Sequence, residues 1–124
     1  LPNLNAALGC AQLEQLPRML QEKRALAERY RAAFAAIEGV TFIDEPAGTQ
    51  SNFWLNSIRL DKGTPALLAA VLGALNDAGY MARPLWTLMH QLPMYRSCPR
   101  DDLPVAERLA ACVINLPSSP VLAR

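Results

Sequence analysis

The chain has 124 residues, enough for one domain with a modest hydrophobic core and too few for two. Its 12 basic and 11 acidic residues give a net charge of +1, so no basic footprint favours a nucleic-acid partner or an anionic membrane. No apolar run approaches the roughly 20 residues that a membrane span requires. Apolar residues make up 52% of the chain and charged residues only 19%, which is a high apolar content for so small a domain. This composition indicates that part of the apolar surface binds a partner.

The three cysteines are odd in number, widely spaced and without a CxxC pair. With a single histidine in the chain, a metal site built from Cys and His is not expected. This cysteine usage fits a reduced intracellular compartment, and we predict a cytoplasmic protein. The chain begins at Leu1, without an initiator Met or a signal peptide, and we interpret it as a piece of a longer protein.

Residues 4–38 are predicted to form a long helix, because apolar side chains recur at three- and four-residue spacing from Leu13 to Ile37. Pro17 lies inside this pattern and predicts a kink or a restart. Gly39 follows as a helix stop. A two-stranded coiled coil is an alternative, supported by only about three heptads.

Two strands are predicted next, over residues 40–43 and 52–60, and we expect them to pair antiparallel. Trp54 lies in the second strand. We assign its ring to the core, since an aromatic side chain in a strand is more often buried there than facing a ligand. Binding of a ligand by Trp54 is the alternative.

A second helix is predicted from Pro65 to Ala78, with Thr64 as its N-cap and Gly79 as its stop. No charged residue occurs from Thr64 to Asn76, so this helix either packs on both sides or meets another domain, with an alanine-rich surface as the equally open alternative. Its expected buried residues are Leu67, Leu68, Val71, Leu72 and Leu75.

Residues 80–82 are predicted to return as a short strand that leads into a loop ending at residue 95. Pro84 and Pro93 rule out a regular helix there and make a central strand unexpected. The loop supplies an arginine for phosphate, an indole ring for stacking, and an imidazole and a phenol for hydroxyl groups. These candidate binding residues are Arg83, Trp86, His90 and Tyr95. A loop that merely covers the core is the alternative. Beyond it, residues 105–113 are predicted to form a helix capped by Asp102, followed by a brief extended piece over 114–117.

Three blocks of sequence occur in a recognisable order. The first is Asn-Leu-x-Ala-Ala-Leu-Gly-x-x-Gln-Leu at residues 3–13, and the second is His-x-x-Pro-x-Tyr at residues 90–95. The third is a Leu-Pro and an Ala-Glu helix at residues 103–109, closed by Leu-Pro at 116–117. Together they resemble the C-terminal small domain of the DegT/DnrJ/EryC1/StrS family of pyridoxal-phosphate-dependent (nucleotide-sugar) aminotransferases.

The resemblance implies an α+β fold with a long N-terminal helix and a small antiparallel sheet of about three strands flanked by helices. It corresponds to the C-terminal domain of a fold-type-I, aspartate-aminotransferase-like enzyme, with residues 1–124 as one domain. The large domain that carries pyridoxal 5'-phosphate and its lysine would be missing, and the active site would lie at a homodimer interface. Neither Lys23 nor Lys62 has the setting of that lysine, so no cofactor is expected on this piece.

The function implied is transfer of an amino group from an amino acid, with glutamate as the expected donor, to a keto nucleotide-sugar in amino-sugar and surface-glycan biosynthesis. In this interpretation Arg83 contacts the pyrophosphate, His90 and Tyr95 bind sugar or phosphate oxygens, and Trp86 stacks on the base or sugar. The piece supplies no catalytic, cofactor-binding or metal-binding residue and is expected to be inactive alone. The alternative is a non-catalytic α+β protein-interaction or regulatory module.

Overall fold

A four-stranded antiparallel sheet carries the other elements of the computed structural model, which describes residues 2–123. The strands are β1 (Val40–Phe42), β2 (Asn56–Leu60), β3 (Arg83–Pro84) and β4 (Val113–Leu116). They lie in the order β1-β2-β4-β3, so the last strand in sequence inserts between two earlier ones. The α+β fold is therefore confirmed, with four strands where the sequence indicated about three. In chain order the elements are α1 (Asn3–Phe34), β1 (Val40–Phe42), β2 (Asn56–Leu60), α2 (Pro65–Asp77), β3 (Arg83–Pro84), α3 (Pro104–Ala110) and β4 (Val113–Leu116).

The central strand β4 is the brief extended piece of the sequence analysis, and all four of its residues are buried. Ile114 faces Ile58 of β2 on one side and Pro84 of β3 on the other. Because two neighbours supply partners for its backbone and the helices cover its side chains, this short strand forms the centre of the core. The cluster around Ile114 consists of Ile58, Leu60, Leu68, Ala82, Cys112, Val113 and Leu116.

Helix α1 continues through Pro17 without a restart and ends at Phe34, four residues before the predicted end. Only its C-terminal half meets the sheet, where Leu26 and Ala27 are buried and Tyr30 and Phe34 pack on the core cluster. The N-terminal half of α1 is exposed. Within residues 2–123, no helix combines the length and the apolar content needed to cross a bilayer.

Helix α2 follows its prediction closely, since Thr64 Oγ1 accepts a hydrogen bond from the Leu67 amide at 3.2 Å and the chain leaves the helix at Gly79 with φ +86°. Leu68 is buried, and Val71, Leu72 and Leu75 pack on the core cluster. Leu67, expected in the core, is exposed instead. The helix therefore presents a narrower apolar face to the sheet than the sequence indicated.

Three boundaries differ from expectation. The second strand begins at Asn56, because the preceding residues form a turn, and the third strand is Arg83–Pro84 instead of residues 80–82. The helix predicted over 105–113 ends at Ala110, because residues 111–112 form a turn and Val113 begins β4. Asp102 does not cap it, since Leu103 occupies the N-cap position and no side chain accepts a hydrogen bond there.

Candidate functional site

The candidate loop starts on an edge strand. Arg83 and Pro84 form β3, which pairs only with β4, in the register Arg83 with Asn115 and Pro84 with Ile114. A proline is tolerated there because its missing N–H lies on a strand that has one neighbour. The sheet thus fixes the backbone of the first candidate residue.

Arg83 is an exposed cation with no partner of its own. Its guanidinium forms no hydrogen bond or ion pair with another residue in the described part of the chain. It lines a cavity of about 530 Å³ together with Trp86, and the lining also includes Leu55, Asn115 and Ser118. An unpaired guanidinium at the edge of such a cavity is suited to a phosphate or carboxylate group.

Trp86 lies beside the indole of Trp54, which was expected in the core. The rings of Trp54 and Trp86 are stacked, with centroids 6.2 Å apart and an interplanar angle of 29°. Trp54 is 66% exposed and Trp86 is 67% exposed, so the prediction of a buried Trp54 is wrong. The two rings together form an exposed aromatic surface next to Arg83.

The backbone at Phe53 explains why Trp54 points outwards. Phe53 has φ +45°, in the left-handed region, and its own ring is buried at 5% exposure. This conformation costs a non-glycine residue on the order of 1–3 kcal/mol, so it persists only where the surroundings enforce it. Serine and asparagine side chains support the turn, since Ser51 Oγ accepts from the Phe53 amide and Asn52 Oδ1 from the Trp54 amide, both at 3.0 Å.

His90 and Tyr95 lie in two consecutive 3₁₀ turns, Met89–Gln91 and Pro93–Tyr95. His90 Nε2 is 3.1 Å from Glu107 Oε1 on α3. His90 and Tyr95 both line a cavity of about 300 Å³, whose lining also includes Cys98, Arg100 and Leu103. Glu107 was not identified from the sequence, because it lies 17 residues from its partner and only the fold brings the two together.

The four predicted residues therefore fall into two pairs in separate cavities. Arg83 and Trp86 share one, and His90 and Tyr95 share the other. A third groove, of about 570 Å³, lies between α1 and the turn after α2, is lined by Tyr30 and other residues, and contains none of the four.

Lys23 has a structural setting that its sequence position did not reveal. Its Nζ donates to three backbone carbonyl oxygens, of Ser118 at 2.7 Å, Trp54 at 3.0 Å and Phe53 at 3.3 Å. Burial lowers the pKa of Lys23 below the ordinary value for a lysine. All three ammonium protons thus have acceptors, which fits a lysine that holds backbone in place.

The side chains of the candidate site can bind a ligand, but they offer little covalent chemistry. It presents a cation, a stacked pair of indoles, an imidazole and a phenol. The lysine nearest to them is committed to carbonyl oxygens, and Lys62 lies in the turn after β2. The described residues are therefore suited to recognise an anionic, ring-containing ligand.

Several known proteins are similar to this chain in sequence. EpsN of Bacillus subtilis (strain 168), assigned by its name to the pyridoxal phosphate-dependent aminotransferases, is 35% identical over 95 residues, covering 77% of this chain and 24% of EpsN. GDP-perosamine synthase of Vibrio cholerae is 34% identical over 121 residues, covering 97% of this chain and 33% of the synthase. This chain thus spans a quarter to a third of the length of these curated relatives.

A solved structure shows the same fold. The crystal structure of DesI in the presence of its TDP-sugar product matches with a TM-score of 0.83 and 29% identity, over 94% of this chain and 30% of DesI. The family model of the DegT/DnrJ/EryC1/StrS aminotransferases matches residues 1–124. This chain belongs to the DegT/DnrJ/EryC1/StrS aminotransferase family.

Proposed function

We propose that residues 1–124 are the small C-terminal domain of a larger aminotransferase that passes an amino group from an amino acid, with glutamate as the expected donor, to the keto carbon of a nucleotide sugar. Family membership and the name of the Vibrio cholerae relative, a GDP-perosamine synthase, support this class of reaction. The observation that supports this proposal most directly is that Arg83, which has no partner among residues 2–123, shares a cavity with one of two stacked indoles. A nucleotide sugar offers both a diphosphate for the guanidinium and a planar base for the ring.

The cofactor site would lie outside this chain. Pyridoxal 5'-phosphate supplies the electron sink for transamination in this family, and it requires a free lysine. Lys23 is not free, because three carbonyl oxygens hold its ammonium group. The residues described here therefore do not fit the cofactor. We expect the lysine and the phosphate cradle in an upstream domain, and the isolated chain to be inactive.

In this reaction, the role of residues 1–124 would be to bind the nucleotide-sugar substrate. Arg83 would neutralise the diphosphate and Trp86 would stack on the base or sugar. His90 and Tyr95 line a separate cavity, where they would donate to or accept from sugar or phosphate oxygens. In this proposal the full-length protein is a cytoplasmic homodimer in which the small domain closes over the substrate bound to the large one.

The test uses the full-length protein with a panel of keto nucleotide-sugars. Substituting Arg83→Ala should raise KM for the nucleotide sugar by about 10-fold or more, as expected for loss of a charge-assisted contact. The KM for the amino donor should stay unchanged. Smaller increases are expected for His90→Ala and Tyr95→Phe. If KM is unchanged for all three variants, the assignment of these side chains is wrong.

The competing proposal is a non-catalytic interaction or regulatory module. It draws on the absence of charged residues over 64–76 and on Leu67, which is exposed on α2. The residues encoded upstream of Leu1 distinguish the two proposals, since only the aminotransferase requires a cofactor-binding domain with its lysine there. A different upstream domain would favour the module.

A further inference from the structure

We propose that Trp54 and Trp86 form one binding platform for the base of the nucleotide, and that Lys23 is the positioning residue of this platform. The inference rests on the proposed function and deepens it, because it assigns the base-binding subsite and adds two residues that the loop alone does not contain. The ligand class is a nucleoside diphosphate whose base lies flat on an indole.

The first support is exposure. Two adjacent tryptophans that are each about two-thirds exposed (66% and 67%) present a large apolar surface on a small domain. An exposed apolar patch of this kind marks a binding site more often than an isolated exposed side chain does. The rings are already stacked on each other, so together they form one aromatic surface.

The second support is chemical. Aromatic side chains bind nucleobases by stacking, and the interaction tolerates any base because every base has a flat π-face. Trp86 lines the same cavity as Arg83, so a nucleotide with its base on the indoles would have its diphosphate within reach of a cation. Stacking and charge neutralisation would then act on the two ends of one ligand.

The third support is the way the turn at Trp54 is held. Phe53 adopts φ +45°, which buries its own ring and leaves the next side chain on the surface. The guanidinium carbon of Arg24 lies 5.9 Å from the centre of the Phe53 ring. A strained backbone that orients an exposed aromatic side chain is typical of a binding site.

Lys23 joins this turn to two other parts of the fold. Its ammonium group on α1 is bonded to the carbonyls of Phe53 and Trp54, and also to that of Ser118 beyond β4. Ser118 Oγ in turn accepts a hydrogen bond of 2.7 Å from the Asn56 amide at the start of β2. Lys23 does not touch the proposed ligand, so an effect of its substitution on nucleotide binding would pass through the backbone that it holds at Trp54 and at Ser118.

The first experiment compares Trp54→Ala, Trp54→Phe and Tyr80→Ala in the full-length enzyme. Tyr80 is a matched control, an aromatic residue with 59% exposure that is not part of the Arg83 cavity. Trp54→Ala should raise KM for the nucleotide sugar about 5- to 100-fold, the range expected for loss of one base-stacking contact. The value of kcat should change less than about 3-fold, and Trp54→Phe should retain most of the affinity. Tyr80→Ala should behave as the wild type.

The second experiment needs no turnover. GDP, UDP and dTDP are titrated one at a time into the full-length protein while tryptophan fluorescence is recorded. Quenching should saturate, and Trp54→Ala should weaken the apparent affinity by the same factor as it raises KM. Lys23→Met should shift the near-ultraviolet circular dichroism of the stacked indoles and weaken nucleotide binding, whereas Lys23→Arg should restore part of both signals.

The outcomes separate this inference from the function on which it rests. If nucleotide sugars are aminated with an unchanged KM in Trp54→Ala, the platform is wrong and the aminotransferase proposal stands. If the nucleotides quench fluorescence in a manner that depends on Trp54 but no nucleotide sugar is aminated, the platform stands and the proposed function is wrong. If Lys23→Met alters stability but neither circular dichroism nor nucleotide affinity, the positioning role of Lys23 is wrong.

Discussion

His90 on the candidate loop lies within hydrogen-bonding distance of Glu107 on α3, with Nε2 and Oε1 3.1 Å apart. This contact links a 3₁₀ turn to the helix that precedes the central strand. The His90 side chain is well shielded from solvent, whereas that of Glu107 is about half exposed. The imidazole is therefore held on its protein side before any ligand enters the cavity.

Substituting Glu107→Ala should lower the free energy of unfolding by about 0.5–1.5 kcal/mol, the net value of one hydrogen bond. Chemical denaturation of the 124-residue chain measures it. Asp102→Ala is the matched control, because the structure gives Asp102 no role as a helix cap, and its effect should stay within about 0.5 kcal/mol. Equal losses in both variants would mean that the His90 contact adds nothing to stability.

Gly63, in the turn after β2, is the basis of a second prediction. A Cβ atom at this position would lie 2.2 Å from Cys112 Cβ and 2.8 Å from Cys112 Cα. Gly63→Ala must therefore push the turn away from Cys112, which precedes β4, and we expect a loss of about 1–3 kcal/mol in unfolding free energy, as for other overpacked sites.

Gly73, within α2, provides the control for Gly63. A Cβ there meets no atom within 4 Å, and alanine is the better helix former. Gly73→Ala should therefore raise the unfolding free energy by about 0.5–1 kcal/mol. If both alanine variants shift stability in the same direction, the close approach of Gly63 to Cys112 does not govern the effect.

The pair Arg31 and Asp44 predicts a pH dependence. Arg31 Nε donates to Asp44 Oδ2 at 2.6 Å and its Nη2 to Oδ1 at 2.7 Å. These hydrogen bonds hold the pKa of Asp44 below its usual value. A carboxyl whose pKa is lower in the folded state stabilises the fold above its unfolded pKa, about 3.9, and this contribution is lost as the pH falls through the folded pKa.

The measurement compares the wild type with Asp44→Asn between pH 7 and pH 2. The wild type should be more stable near neutrality by about 0.2–1 kcal/mol, because the pair is partly exposed, and the difference should shrink below about pH 4 and in high salt. Asp101→Asn is the control, since Asp101 has no ion-pair or hydrogen-bond partner within residues 2–123. A difference between the wild type and Asp44→Asn that does not vary with pH would contradict the assignment.

These contacts show which parts of the fold were predictable. Both helices were located by their periodicity, and the Thr64 cap and the Gly79 stop of α2 were predicted correctly, because periodicity and capping are local properties of the chain. The predicted stop at Gly39 was wrong, since α1 ends at Phe34 with Ala35 as its C-cap. Strand β4 was recognised only as a brief extended piece. Its four residues carry little local signal, and its place at the centre depends on partners about 30 and 56 residues earlier in sequence, through the pairs Ile114 with Pro84 and with Ile58.

The residues of the candidate site stay a prediction from residue chemistry, and their arrangement could not be predicted from the sequence. Proline spacing and residue chemistry singled out Arg83, Trp86, His90 and Tyr95, and their division between two cavities came from the 3₁₀ turns and from α3. Trp54 was placed in the core because its segment has the composition of a strand. The left-handed conformation of Phe53 is not encoded in that composition. It depends on hydrogen bonds that the backbone amides of the turn donate to side chains, and on Lys23, about 30 residues away.

The last prediction tests whether the central strand dominates stability. Ile114 has 0% exposure, so Ile114→Val should cost about 0.5–1.5 kcal/mol and Ile114→Ala about 2–5 kcal/mol of unfolding free energy. The same changes at Ile37, which is 47% exposed after α1, should cost less than about 1 kcal/mol. Denaturant titration of the four variants, at constant m-value, measures the contrast. If the two isoleucines respond alike, the core is not centred on β4, because only a filled and inaccessible site adds a cavity penalty to the lost burial.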